Sequence, residues 1–294
     1  MKYAWIHEHR DLFPVLVACH VLEVSTSGYY ASICREPSPR ALRTARIRKA
    51  VREVHAASDG IYGSVKVTRS LPQLADPERA CRNTVAKAMR EMGLKSRVRR
   101  AFVPTTTQVD PSRAPAPNTL AQDFTAEGPN RKWVTDITYL PTAAGWAYLA
   151  VVLDLFSRKV VGWAIGSSLE TELVAAALRR AIEARRPTRG TLLHHSDRGC
   201  QYTSDLYQRI LKSLNIECSM SRNGCCYDNA VMERFFWSLK HEWTNHERFS
   251  DLESARCSVF KYIETFYNHR RIHQALAYLT PDQYEADHAP AAAA

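Results

Sequence analysis

The chain has 294 residues, 45% of them hydrophobic and 24% charged, which is enough for a buried core and, by length, for two domains. Its net charge of +10 is concentrated at one end: residues 1–110 hold 19 Lys and Arg against 10 Asp and Glu, the rest 21 against 20, so the first part of the chain points to a polyanionic partner, nucleic acid first. No apolar run approaches the ~20 residues of a membrane span, the mixed-charge start lacks the plan of a signal peptide, and the cysteines show neither C-x-x-C spacing nor a zinc-ligand pattern, so a cytoplasmic protein with reduced thiols is expected.

In chain order, residues 13–34 read as two short helices around the turn Glu23-Val24-Ser25, with Ser25 or Ser27 capping the second; this spacing suggests a helix-turn-helix. After Pro37-Ser38-Pro39 a basic helix is expected from Ala41 to Ala56, with Ile47, Ala50, Val51 and Val54 on its apolar side. Asp59–Gly63 is a loop, Ser64–Leu71 a short helix stopped at Pro72, and Asn83–Met92 a helix with Val85, Met89 and Met92 on its core stripe. That last helix exposes Lys87 and Arg90 and runs into Lys95, Arg97, Arg99 and Arg100, a set suited to DNA phosphates, or equally to a solvated basic face. The expected organisation is a basic helical region at 1–102, a Pro- and Thr-rich linker at 103–127, a catalytic core at 128–250, and C-terminal helices and tail at 251–294.

Beyond the linker the periodicity changes to that of strands: Trp133–Leu140, a turn at Pro141–Gly145, Trp146–Leu155 and Val160–Ile165. A helix at Glu170–Arg185, a strand at Thr191–His195, a helix at Ser204–Leu214 and a strand at Ile216–Met220 follow, then helices at Asn229–Trp243 and Leu252–Tyr267. The order βββαβαβα is that of an α/β, ribonuclease-H-like domain with a mixed five-stranded sheet.

Three acids stand where this architecture gathers chemistry. Asp136 interrupts an apolar strand, Asp197 ends another, and Glu233 lies in the first turns of a helix beside the core stripe Met232, Phe236, Leu239 and Trp243. Taken singly, each is better read as a salt-bridged or capping residue. Carboxylates brought together in a sheet need a cation to neutralise them. Mg²⁺, a hard ion held by few carboxylates plus water and phosphate oxygens, suits that need, and a pair of such ions serves phosphoryl transfer. Around them, Lys240 lies two helical turns after Glu233 and is placed to meet a DNA phosphate; Asp228 and Asn229 are expected to cap the helix, Asn229 with a possible substrate contact; Asp154 reads as structural. Arg270, Arg271 and His273 suit either DNA or helix packing.

Thirty-five residues separate Asp197 from Glu233. With His195-Ser196-Asp197-Arg198-Gly199-Cys200-Gln201-Tyr202, Ser221-Arg222-Asn223-Gly224, Tyr227-Asp228-Asn229-Ala230, Glu233-Arg234-Phe235-Phe236 and the ending Tyr267-Asn268-His269-Arg270-Arg271-Ile272-His273-Gln274, the chain resembles the second-frame product of the insertion-sequence-three family of transposases, with its integrase-type D, D-35-E core. The resemblance implies an enzyme that hydrolyses and rejoins phosphodiesters at the ends of an insertion sequence, with Asp136, Asp197 and Glu233 as catalytic metal ligands and two Mg²⁺ (or Mn²⁺) ions. It also implies DNA ends and target DNA as partners, a homo-oligomer assembled on DNA at the bacterial nucleoid, and an upstream-frame helix-turn-helix protein or frameshift fusion. Departures from the family pattern are Tyr227 for tryptophan, Cys225 for a polar residue, Pro72 within a helix, and Thr84 and Ala86 in a helix that starts less basic. The competing reading is a DNA-binding protein without catalysis, an inhibitor or a remnant.

Overall fold

A computed structural model describes residues 2–34, 36–73, 79–97, 115–222 and 226–288. Arg99, Arg100 and residues 103–114 of the expected linker lie outside the described residues. No described helix is long and apolar enough to cross a membrane.

The N-terminal part is helical. Helices α1 (Lys2–Glu8), α2 (Val15–Val21) and α3 (Thr26–Cys34) enclose a small cluster of their own around Ile6, Ala18, Cys19 and Tyr29, and Ser25 accepts the Gly28 amide at the head of α3. Helix α1 has no counterpart in the sequence reading, because seven residues carry too little period to mark it. Helix α4 (Pro39–Ala57) starts with proline behind the capping Ser38, and α5 (Ser64–Ser70) and α6 (Arg82–Glu91) pack on it. Their apolar stripes (Ile47, Val51, Val54, Val67, Val85) belong to the same buried cluster as residues of the sheet and the C-terminal helices.

The sheet has the order β3-β2-β1-β4-β5. Strands β1 (Lys132–Thr142), β2 (Gly145–Asp154) and β3 (Val160–Gly166) form an antiparallel meander; β4 (Leu193–Ser196) and β5 (Glu217–Met220) extend it in parallel beyond β1. The expected turn at 141–145 is shorter in the structure: β1 continues through Pro141 and pairs to Thr142 opposite Gly145, leaving a two-residue connection. Both faces are covered, so the strands are apolar on both sides. Helix α7 (Thr171–Arg185) lies on one face with Trp133, Ala150 and Val152, approaching so closely at Gly162 that a Cβ there would stand 2.4 Å from the Ala177 carbonyl oxygen. Short α8 (Cys200–Thr203) and α9 (Asp205–Ser213) complete this side. The opposite face, with Val134, Leu140, Leu149 and Val151, is covered by α10 (Ala230–Glu242) and α11 (Leu252–Phe260).

The single helix expected at 252–267 is regular only to Phe260 and widens to a π-helix over Lys261–Tyr267. A last helix, α12 (Pro281–Asp287), opens with a capping box between Thr280 and Gln283. Asp154 is structural: fully buried, it accepts from the amides of Asn130 and Phe156 at 2.7 and 2.9 Å.

Candidate active site

The first two acids meet because of strand register. Strands β1 and β4 pair Lys132 with Leu193, Trp133 with His194 and Val134 with His195. The same offset carried two residues on sets Asp197, just past the end of β4, beside Asp136. Strand alternation puts Asp136 on the face of Val134 and Leu140, the face that α10 covers. Asp136 Oδ1 accepts the Ile137 amide at 2.8 Å, and Asp197 Oδ1 accepts the Gly199 amide at 2.9 Å. A side chain at position 199 would crowd that carboxylate, since its Cβ would stand 3.0 Å from Asp197 Oδ1.

The third acid arrives on α10. Asn229 immediately precedes this helix, and its side-chain amide donates to the Thr135 carbonyl at 3.2 Å, where pairing of β1 with β4 has ended. One turn later Glu233 projects from the same side of the helix, exposed at the edge of the sheet. Asn229 thus stands at the N-cap position of the helix without capping it by its side chain. Asp228 is fully buried and accepts from Asn118, Gln122 and the Arg222 amide at 2.9, 2.9 and 2.8 Å, tying the segment before β1 to the approach to α10. Asn229 is 6% exposed, and its amide nitrogen pins the helix to the strand.

Electrostatics show how uneasy this grouping is. Burial, then the Asp197 carboxylate and at longer reach that of Glu233, push the Asp136 carboxyl up to about 8, with the Ile137 amide and Lys240 opposing them. Partial burial raises Glu233 as well. Lys240 hovers 4.6 Å from the centre of the Tyr139 ring, its ammonium destabilised by burial and supported by Asp136. The Tyr202 hydroxyl is buried close to the two aspartates, with Thr135 as its polar neighbour, and burial followed by the aspartate charges holds it well above its ordinary range.

An all-oxygen donor set in which one carboxyl is pushed toward its protonated form by burial and by its acidic neighbours fits a hard divalent cation, which would replace proton by metal. Among the described residues no three His, Cys, Asp or Glu side chains close into a ready-made cage. In this arrangement the site is open, suited to an ion that completes its shell with water and phosphate oxygens.

Of the basic residues expected to meet DNA, Lys87 is exposed on α6 with Glu91 3.9 Å away, and Arg90, Lys95 and Arg97 are exposed at its end. Arg97 donates its backbone amide to the Gly60 carbonyl, which folds this run back against the loop after α4. Arg271 and His273 are buried and serve packing; Arg270 reaches the Ala57 carbonyl.

Comparison with known proteins places this geometry. Residues 126–226 and 214–281 match integrase core domains, and residues 43–102 match an HTH-like domain, which therefore falls on α4–α6 rather than on the helix pair at 13–34. The chain is 40% identical over 287 residues, 97% of its length and 98% of the relative's, to the transposase InsF for insertion sequence IS3A of Escherichia coli (strain K12). The chain belongs to the IS3 family of insertion-sequence transposases. It is also 37% identical, over 90% of its length and 95% of the relative's, to the uncharacterized 31 kDa protein of insertion element IS600 from Shigella sonnei. Among solved structures, the HTLV-2 integrase catalytic core domain in complex with magnesium aligns with 54% of this chain and 99% of that one, at 18% identity and a TM-score of 0.43.

Asp136, Asp197, Glu233 and Lys240, singled out in the sequence, act on one another electrostatically in the structure. Sequence reasoning missed Asn229 as a pin and Tyr202 beside the aspartates, although both lie inside the quoted motifs; only the end of strand pairing at Val134 shows why Asn229 turns inward.

Proposed function

We propose that this chain is a DDE transposase that cuts phosphodiesters at the ends of an insertion sequence and joins the freed 3′ hydroxyl to target DNA, with Asp136, Asp197 and Glu233 as its catalytic carboxylates. The observation that carries the assignment is the register that sets Asp136 beside Asp197, with Glu233 one turn into a helix pinned to the same strand by Asn229. Two Mg²⁺ (or Mn²⁺) ions held there would polarise the scissile phosphate and activate the attacking hydroxyl. The chain's own residues do the rest. Asp136 and Asp197 present oxygens from a rigid sheet. Glu233, exposed on α10, would complete the set from the helix side. Lys240 balances charge where a phosphate would enter, and the Asn229 pin fixes the distance between helix and strand. No serine or tyrosine nucleophile is required. The HTH-like helices α4–α6, with Lys87, Arg90, Lys95, Arg97 and the further Arg99 and Arg100, supply DNA binding. Assembly as a homo-oligomer on DNA, and cooperation with an upstream-frame helix-turn-helix protein, belong to the same proposal.

The test is Asp197→Asn, which keeps size but removes the charge that holds a metal. With DNA carrying the element's terminal repeats and Mg²⁺, end cleavage and joining are expected to vanish while DNA binding persists. Equal cleavage by parent and variant would remove the assignment. Absence of cleavage by the parent, even joined to its upstream frame, would favour a non-catalytic DNA-binding protein.

A further inference from the structure

A cavity of about 950 Å³ opens on the other flank of α10, between the HTH-like helices and the core. Its walls come from Lys66 and its neighbours on α5, Arg158 after β2, Arg234 on α10, and the segment after the π-helix that carries Arg271 and His273. None of the three catalytic acids lines it.

Its charges do not balance. The acid in its lining, Glu242, is paired with Arg271 through two bonds of 2.6 and 2.7 Å. Among the described residues Lys66 has no hydrogen bond and no ion pair; its ammonium sits 5.0 Å from the Tyr62 ring, and burial, then Arg271 and Arg234, outweigh the support of Glu242 and lower its pKa to about 7. Arg158 gives one nitrogen to the Phe124 carbonyl at 3.2 Å, while its Nη1 is buried with no partner. Arg234 lies over the Trp237 ring at 4.5 Å with no carboxylate near; Trp237 in turn stacks on His241, so the guanidinium is steadied and not neutralised. Burial and the surrounding cations keep His273 neutral. Three cations from three distant parts of the chain thus line one cavity, and among the described residues none of them is held in an ion pair; Glu242 and Asp154 act on Lys66 and Arg158 only at longer reach. Such an arrangement is costly unless an anion enters. Two of them are guanidinium groups, whose planar donors match phosphate oxygens.

We propose that this cavity seats a phosphodiester of the element's DNA, received by Lys66, Arg158 and Arg234, so that the strand is gripped between the HTH-like region and the core on the flank of α10 away from the metal site. The proposal rests on the transposase reading, which supplies the polyanion. Position favours a DNA strand as occupant: Arg234 directly follows Glu233, so a strand at the catalytic acids needs only to round one helix to reach the cavity.

The test uses the full chain and duplex DNA carrying the terminal repeat, with affinity measured by fluorescence anisotropy as salt rises. Lys66→Gln and Arg234→Gln are compared with the parent and with Lys212→Gln, a control on α9 outside the cavity. Each lost phosphate contact flattens the slope of log affinity against log salt by about 0.9, so between about 50 and about 200 mM salt the parent should lose about 3.5-fold more affinity than either cavity variant. The control should keep the parental slope. Neither substitution removes a hydrogen bond or ion pair, and unchanged melting curves verify folding. Parental slopes in both cavity variants, or equal flattening in the control, overturn the proposal while leaving the transposase reading intact. A parent that binds DNA without salt dependence, or not at all, overturns that reading and the cavity with it.

Discussion

Glu242→Gln is the perturbation that best probes how α10 is held in place. Glu242 closes the helix that carries Glu233, and Arg271 belongs to the segment that follows the π-helix. The Arg271 guanidinium meets the carboxylate through two nitrogens, at 2.6 and 2.7 Å, and a third bond of 3.1 Å reaches Ser238 on the same helix. The side chains are 9% and 5% exposed, so water screens the pair little. Glutamine keeps the size and one acceptor but leaves a buried cation without its anion. Breaking a buried pair from one side costs about 3–5 kcal/mol. Against a total stability of about 5–15 kcal/mol that is a large fraction. At ~2–4 °C per kcal/mol for a domain of this size, the melting temperature should fall by roughly 6–20 °C.

The pair also makes a pH signature. Burial alone would raise the Glu242 carboxyl, but Arg271 overrides it and holds the group below its ordinary value. A carboxyl with a lowered folded pKa contributes stability above its unfolded pKa and loses it as pH falls through the folded one. The gap between parent and Glu242→Gln should therefore be full at neutral pH and shrink once pH drops below the ordinary glutamate range. Urea unfolding at a series of pH values reads both quantities. A loss below about 1 kcal/mol at neutral pH, or a gap that does not narrow in acid, would refute the ion pair as the clamp on α10.

Further outcomes follow from other contacts. Gly162→Ala drives a methyl to 2.4 Å from the Ala177 carbonyl oxygen and 2.7 Å from the Ala181 amide, both backbone, so α7 must move; a loss of about 1–3 kcal/mol or more is expected, and an unchanged melting temperature would contradict this packing. His194 and His273 are buried neutral, the first pushed down to about 3 and the second well below its ordinary value. The unfolded chain takes up these protons near the ordinary histidine pKa of about 6.5, so stability should decline as pH falls below that point; flat stability between about pH 7 and 5 would count against it. Lys240→Gln should flatten the salt slope for terminal-repeat DNA by about 0.9 without changing the melting temperature, and an unaltered slope would remove Lys240 from the DNA path.

The contrast between the two flanks of α10 shows what a linear sequence can and cannot display. The three acids proposed for the site are legible because each occupies a place that periodicity defines: Asp136 interrupts an apolar strand, Asp197 closes another, and Glu233 falls just off an apolar helical stripe. The order of strands and helices then brings strand ends and helix start together, so three local signals suffice. Asn229 stands at the cap position its residue type suggests, but its side chain goes elsewhere: its partner, the Thr135 carbonyl, lies where β4 stops pairing with β1. Helix α12 carries a local signal in Thr280-Pro281 and Gln283, a capping box with proline at the first turn. Lys66, Arg158 and Arg234 belong to a different class. Each looks like an ordinary surface cation in its own segment, and nothing in the spacing links a helix of the HTH-like region, a loop after β2 and the second turn of α10. They meet because the stripe of α4 and α5 docks on the cluster that also buries Phe235, Tyr262 and Phe266. Docking of apolar stripes specifies which surfaces meet, and the cations beside those stripes are carried along. The unbalanced charge is thus a property of the assembled fold, visible only when the partners of each cation can be counted in space.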